Sequence, residues 1–409
     1  MKKMLLSAAA FAVVAVSAVA VTPTTAEAVP AFARQTGAAC LACHHLSFPA
    51  LNAFGAAFKA GSLTDVGEQA LVEDDHLSIT SAVNMTLVLR PNFTSTNTAA
   101  GTVKTAAITA DQVVIVGGRV GTNTGTFVEI AFGGPTATGG FGNFKLSHSV
   151  DMMDGKAGVA IFNSGFGETY AYEVGSTFGQ HGGMIGGKGL SANNNLSIGT
   201  GGLGFFYGNE LVHANVSLVT TSSALGVTNS WKLAPVARVF VTPEVAGMRA
   251  GLGFGIVSGS TGNTNTLAAL AVPGAVAGVT QGELKKWFID AQLQGEIGDI
   301  GIGFYADYAN AAATAAGGTK VNLFNTSASA MKGYSARVEV KPTHNIIVGG
   351  GIGQLKNAAS KTAQWQLAAE YEIYQNFVVA LIYNNTKVTP VGGVGTTTKT
   401  TTLDIEALL

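Results

Sequence analysis

The sequence predicts an all-β transmembrane barrel of about 16 antiparallel strands, with a small α-helical segment at its N-terminal end. Three observations carry that prediction. The 409-residue chain is hydrophobic overall, with a mean hydropathy of +0.33 and 11% charged residues, where soluble domains average about 25%. After Val21 it nevertheless contains no apolar run long enough for a spanning helix. From Leu77 onward, apolar residues alternate with polar ones at period two, so each strand has one greasy and one wet face.

Taken in order, the alternation first places Leu77, Ile79, Val83, Met85, Leu87 and Leu89 opposite Ser78, Thr80, Asn84 and Thr86. Val128, Ile130 and Phe132 flank Glu129, and Val212, Ala214, Val216 and Leu218 alternate with His213, Asn215 and Ser217. Trp287, Ile289, Ala291 and Leu293 alternate with Asp290, Gln292 and Gln294. Tyr334, Ala336, Val338 and Val340 do so with Ser335, Arg337, Glu339 and Lys341. Trp365, Leu367, Ala369, Tyr371 and Ile373 face away from Gln366, Glu370 and Glu372; Phe377, Val379, Leu381 and Tyr383 follow a tight turn at Gln375 and Asn376. A β-sandwich would show the same period, but residues 77–409 exceed the usual size of one sandwich. Spanning strands of ~9–11 residues plus turns divide that length into about 16, with an open lumen expected at that size. The 54 glycines suit short turns and closely approaching strands. The closing strand ends in Leu409 rather than the aromatic residue common at the end of bacterial outer-membrane barrels.

The N-terminus reads as an export signal. Lys2 and Lys3 precede an apolar stretch from Met4 to Val21, and Ala26-Glu27-Ala28 offers a small-x-small cleavage site, so residues 1–28 are expected to be removed before Val29. A membrane anchor is the competing reading, weakened by the Ala-rich composition and the cleavage site. Removing Lys2, Lys3 and Glu27 takes the formal charge from −1 to −2, which gives no electrostatic basis for binding nucleic acid.

Between signal and barrel, residues 29–75 carry the chemistry. The chain has two cysteines, in Cys40-Leu41-Ala42-Cys43-His44, the C-x-x-C-H pattern of covalent haem c attachment. That spacing is what the chemistry needs: two thiols add to the two vinyl groups of one porphyrin, and the next residue brings an imidazole to the iron. A thioredoxin-like pair would sit in a βαβ context, and a zinc site would need further ligands; neither is present. Cys40 and Cys43 are therefore the covalent anchors and His44 the proximal ligand. From Pro49 to Gly61 the punctuation predicts a helix, with Leu51, Phe54 and Phe58 on one face as haem-packing residues. No Met lies between Val29 and Asp75, so the sixth iron ligand is open between His76, 32 residues beyond His44 in an acidic turn, and Met85 in the first strand. A thioether there would raise the potential. So few residues bury too little to fold alone and must lean on the barrel.

Other signals carry little. Residues 182–188 fit G-x-x-x-x-G-K, but Gly189 replaces the hydroxyl residue that would hold magnesium. Gly251, Gly253 and Gly255 sit in a strand pattern, and His148, His181, His213 and His344 are scattered, with His213 in a lumen-facing row.

The run Ala31-Phe32-Ala33-Arg34-Gln35-Thr36-Gly37, the C-x-x-C-H motif, Phe48-Pro49 with Leu51-Asn52, Phe54-Gly55 and Phe58-Lys59, then Glu73-Asp74-Asp75-His76-Leu77-Ser78-Ile79, resembles the fused monohaem cytochrome–porins of iron-oxidising bacteria. The specific match covers residues 29–80; the remainder resembles the family in pattern and length, and Leu63 stands where the family pattern leads us to expect Tyr. The resemblance implies an outer-membrane, lipid-embedded iron:cytochrome oxidoreductase. Fe(II) would be the extracellular electron donor and a periplasmic c-type cytochrome the acceptor. Glu73, Asp74 and Asp75 are hard oxygen donors that could draw Fe(II) towards His76, or simply a solvated turn. Two other functions remain in view: a conduit for a different extracellular donor, and a diffusion porin whose haem segment is a gate.

Overall fold

The alternating strands close on themselves. A computed structural model of the chain describes residues 30–46, 50–67, 69–131, 140–163, 200–221, 227–228, 232–264, 280–314 and 320–409. The signal sequence, Phe48, Pro49, residues 182–188 and His181 lie outside them. Three short helices come first: α1 (Pro30–Thr36), α2 (Cys40–Cys43) and α3 (Ala53–Ala60). A small antiparallel hairpin of β1 (Leu71–Glu73) and β2 (Ser78–Thr80) follows. The wall then begins with β3 (Met85–Thr98), β4 (Gly101–Gly121), β5 (Thr124–Ala131), β6 (Gly140–Met152), β7 (Gly155–Asn163), β8 (Thr200–Gly208) and β9 (Val212–Thr221). It continues through the short β10 (Val227–Thr228), β11 (Ala234–Val241), the short β12 (Glu244–Val245), β13 (Met248–Thr264), β14 (Thr280–Ile297) and β15 (Ile300–Ala311). After the short β16 (Lys320–Asn322) come β17 (Met331–Thr343), β18 (Ile346–Lys356), β19 (Ser360–Tyr374), β20 (Phe377–Pro390) and β21 (Thr396–Leu408).

Among the described residues, the 16 long strands form one closed antiparallel barrel, each pairing with the next and β21 returning to β3. The seam is complete to the last residue: Leu87 and Leu409 exchange N–H···O bonds of 2.9 Å each. Just above them Arg90 Nη2 donates to Asp404 Oδ2 across the same seam, at 2.5 Å. No described helix is long and apolar enough to cross a membrane; the crossing is made by strands.

The wall is inside-out relative to a soluble sheet. On β19, Gln366 is 1% exposed and its neighbour Leu367 57%; on β11, Arg238 is 1% and Val239 49%. Adjacent residues on a strand point to opposite faces, so polar side chains line the interior and apolar ones the outside, as lipid requires. Two aromatic pairs sit on that outer face, Trp287 with Tyr308 and Trp365 with Tyr383, each with ring centroids 5.3 Å apart. Trp287 and Trp365 lie ten and nine residues along their strands from the strand ends at Ile297 and Tyr374. At ~3.4 Å per residue and ~45° of tilt that is about 24 Å of height, the spacing expected between aromatic girdles.

The alternation beginning at Leu77 is divided between two elements. Leu77–Thr80 belongs to the hairpin, and the first barrel strand starts only at Met85. Inward-facing positions of the wall carry long polar side chains. Arg238, Asp290, Gln366 and Glu370 all face inward and all are buried. The connection after β15 returns to the wall. There β16 pairs in parallel with β14, and Phe324 packs against Phe162, Leu284 and Phe288.

The two rims differ. At one, neighbouring strands join through tight turns at Asn123, Asp154, Asn345 and Asn376. At the other, the longest connections, residues 164–199, 265–279 and 312–330, stand beside short turns at 99–100, 357–359 and 391–395. Outer-membrane barrels keep short turns at the periplasmic rim and long loops outside, which orients this one.

Candidate functional site: a helical segment across the short-turn rim

Every strand residue that holds the N-terminal segment lies near the short-turn rim. In α1, the Ala31 N–H, unpaired within its own helix, donates to Thr86 Oγ1 at 2.8 Å, and Arg34 donates to the Met85 carbonyl at 2.6 Å. Gln35, fully buried, is the hub. Its Nε2 donates to the carbonyls of Leu63 (2.7 Å) and Asp65 (2.8 Å), while its Oε1 accepts from the Arg119 N–H (3.0 Å) and Asn84 Nδ2 (3.1 Å). Gly118 makes this possible: it has φ +118°, and a Cβ there would stand 1.9 Å from Gln35 Oε1. Phe32 stacks on Phe127 of β5 (6.2 Å) and meets Phe58 edge-on (5.4 Å).

The C-x-x-C-H motif forms the single turn α2. Residues three apart on a helix share a face, so Cys40 and Cys43 are presented together; both are buried and neither forms a disulfide. Burial pushes the Cys43 thiol up from its usual pKa. His44 caps the turn in an extended conformation, its N–H donating to the Cys40 carbonyl at 2.9 Å, and pairs in a short antiparallel bridge with Leu51. Asn52 then locks the motif. Its Nδ2 donates to the Ala42 carbonyl (2.9 Å), its N–H to the Cys43 carbonyl (3.0 Å), and its Oδ1 accepts the Gly55 N–H (3.0 Å) as the cap of α3. A Cβ on Gly55 would lie 2.1 Å from the Cys43 carbonyl oxygen, so only glycine allows α3 this close to the motif.

The helix expected from Pro49 thus starts at Ala53, because Asn52 supplies the side-chain cap that Pro49 lacks. It ends at Gly61, as the punctuation indicated. Leu51 lies before the helix and packs on Phe240 of β11. Phe58 is buried against Phe32, while Phe54 is half exposed. Leu51 thus has an apolar partner in the barrel wall, Phe240, and Phe58 one in α1, Phe32.

Beyond the motif, His45 reaches β15. Its Nε2 lies 2.8 Å from the Ile302 carbonyl, which can only accept, so that nitrogen carries the proton. Burial lowers the ring's pKa from its ordinary value. Lys341 Nζ of β17 donates to the Leu46 carbonyl at 2.9 Å. On the opposite side, Ala60 packs with Ala160 and Phe206.

The sixth-ligand candidates separate clearly. His76 stands at the exposed tip of the β1–β2 hairpin, its N–H bonded to Asp74 Oδ1 at 2.7 Å. Met85 is corrected: its neighbour Thr86 points inward to hold α1, so the Met85 side chain points out of the barrel. His213, a residue the alternation placed in the lumen, is buried beside Gly208, whose other neighbour is Ala60 of α3. The acidic run is committed to the hairpin. Asp74 Oδ1 accepts the N–H groups of His76 and Leu77, and Glu73 meets Arg119 (3.4 Å) and the Ser78 hydroxyl. His148 and His344 sit near short turns, apart from the motif.

No family model matches the sequence, and no curated protein does. Solved structures do. Pseudomonas putida OprB superposes with a TM-score of 0.55 at 12% identity, over 80% of this chain and 94% of that one. The outer membrane channel DcaP of Acinetobacter baumannii gives 0.50 at 12%, over 80% and 97%. A loop L8 deletion mutant of OmpT, an outer membrane protein of Vibrio cholerae, gives 0.50 at 12%, over 80% and 99%. The fold is that of an outer-membrane porin. At such identity the likeness extends to the fold alone, and it leaves the chemistry to the residues of the N-terminal segment.

Proposed function

We propose that this porin-fold protein is an outer-membrane electron carrier that oxidises extracellular Fe(II) at one haem c and passes the electron to a periplasmic c-type cytochrome. The observation that carries the reading is the C-x-x-C-H turn held at the short-turn rim. The residues present fit the group. Two buried thiols share one face of a turn, the adjacent imidazole lies in extended backbone, and Asn52 and Gly55 fix the turn's carbonyls. A haem bound there supplies a one-electron redox centre. The chain's own residues do the rest: Cys40 and Cys43 anchor, His44 ligates, and Leu51 and Phe58 exclude water. Half-exposed Phe54 keeps one edge open. His213 joins His76 as an imidazole that would be a candidate for holding the iron together with His44.

Placement at the periplasmic rim suits electron delivery, since a soluble acceptor can approach within a short distance of residues 40–58. Anoxic mixing of purified protein with Fe(II) tests the proposal. The oxidised optical spectrum should convert to the reduced one within the mixing experiment; a spectrum left unchanged by excess Fe(II) would remove Fe(II) as donor.

A further inference from the structure

Arg249 places a positive charge beside the motif with no carboxylate paired to it. It is the second residue of β13, just inside the short-turn rim, where Ala246 and Gly247 take positive φ to make the turn. The inward positions of β13 run on from Arg249 to Gly251 and Gly253, both in contact with the ring of Phe240 on β11. Phe240 is also the wall partner of Leu51. Arg249 therefore lies one inward position from the side chain on which the His44–Leu51 bridge rests. It is half-buried, and both His45 and His213 lie within its electrostatic reach.

The neighbours that the sheet offers do not neutralise it. Ladder register sets Arg249 opposite Glu244 on one side and Gln294 on the other. Glu244 is exposed at the turn, and among the described residues no carboxylate forms an ion pair with Arg249. Its Nη1 donates to Gln294 Oε1 at 3.4 Å, a long bond to a neutral acceptor. Lys59 of α3 adds to the charge, since it too lies within reach of His213. Glu296, within reach of His45, is exposed. A guanidinium keeps its proton in a protein, so burying one calls for an anion rather than for neutralisation.

We propose that Arg249 holds a propionate of the haem attached at Cys40 and Cys43. The inference rests on the haem of the proposed function and is independent of Fe(II) as its donor. Haem c carries two propionate carboxylates, and the guanidinium fork matches a carboxylate with two parallel N–H donors. Arg249 from the wall and Lys59 from α3 set two cations beside the motif, for a group that brings two negative charges. Arg249 thereby ties the cofactor to the barrel as well as to the N-terminal segment. A fixed positive charge there also favours reduced over oxidised iron, which raises the potential.

The test compares purified full-length protein carrying its haem with Arg249→Gln, Arg249→Lys and Lys361→Gln, the last removing an exposed cation at the opposite rim. Resonance Raman spectra report hydrogen bonding to the propionates through their bending band, and a redox titration reports the charge. Arg249→Gln should shift the band and lower the reduced-to-oxidised ratio at a fixed potential by roughly tenfold. Arg249→Lys should hold that ratio within about threefold yet still move the band, because an ammonium lacks the fork. Lys361→Gln should leave both unchanged. Heat-modifiable migration confirms that each barrel is folded. An unmoved band in Arg249→Gln would overturn the assignment, even with a shifted potential, and would leave the haem itself standing. A chain purified without haem from a host with c-type maturation would overturn both.

Discussion

Asp290→Ala is expected to destabilise the barrel by about 3–5 kcal/mol, read as a lower urea midpoint or a lower temperature of heat-modified migration. Arg238 and Asp290 form an ion pair with both side chains fully buried, Nη2 to Oδ1 and Nη1 to Oδ2 each at 2.7 Å. The guanidinium is also bracketed by aromatic faces, 4.9 Å from the Phe288 centroid and 5.6 Å from that of Phe240. Truncating the acid leaves the cation buried without its counter-charge. Loss of the pair as a whole should cost far less, since its own desolvation penalty goes with it. Arg238→Met combined with Asp290→Leu should therefore recover most of the loss. If the lumen around Arg238 were an open aqueous channel, Asp290→Ala would instead change stability by under about 1 kcal/mol.

His44→Ala is expected to change the redox centre completely while leaving the barrel intact. In the proposed site His44 is the proximal ligand, and its substitution should convert the absorption spectrum to that of an iron lacking its strong-field imidazole and shift the reduction potential. His44 bridges to Leu51 and donates its N–H to the Cys40 carbonyl, both within the N-terminal segment. Barrel migration on a gel should therefore not move. Spectra of His76→Ala and His213→Ala read the opposite axial face in the same experiment. A His44→Ala spectrum matching that of the unaltered protein would exclude His44 as ligand.

Much of the fold is legible in the sequence because the lipid face imposes a strict rule: Trp365 and Leu367 out, Gln366 and Glu370 in. Total length then gives the strand number. The start of the barrel is not legible, because the hairpin carrying Leu77 and Ile79 shows the same period two as the wall. The sequence also cannot show which inward side chains pair, as Arg238 does with Asp290. In the site, Cys40, Cys43 and His44 are marked by covalent chemistry that tolerates no other spacing. Gln35 is invisible in sequence, as its partners lie at Leu63, Asn84 and Arg119. Asn52 was within reach: an Asn just before Ala53 is a helix-cap signal, and weighing it above Pro49 would have placed the start of α3. His213 carried only its lumen-facing parity, and Gly208 next to Ala60 supplies the rest.

The central claim is that Cys40 and Cys43 hold one haem, and intact-protein mass after denaturation tests it most directly. Protein produced in a host with c-type maturation should carry the added mass of one haem per chain. Its two cysteines should resist alkylation, and Cys40→Ala combined with Cys43→Ala should abolish the added mass while the barrel still assembles. An unmodified chain with two alkylatable thiols would contradict the account.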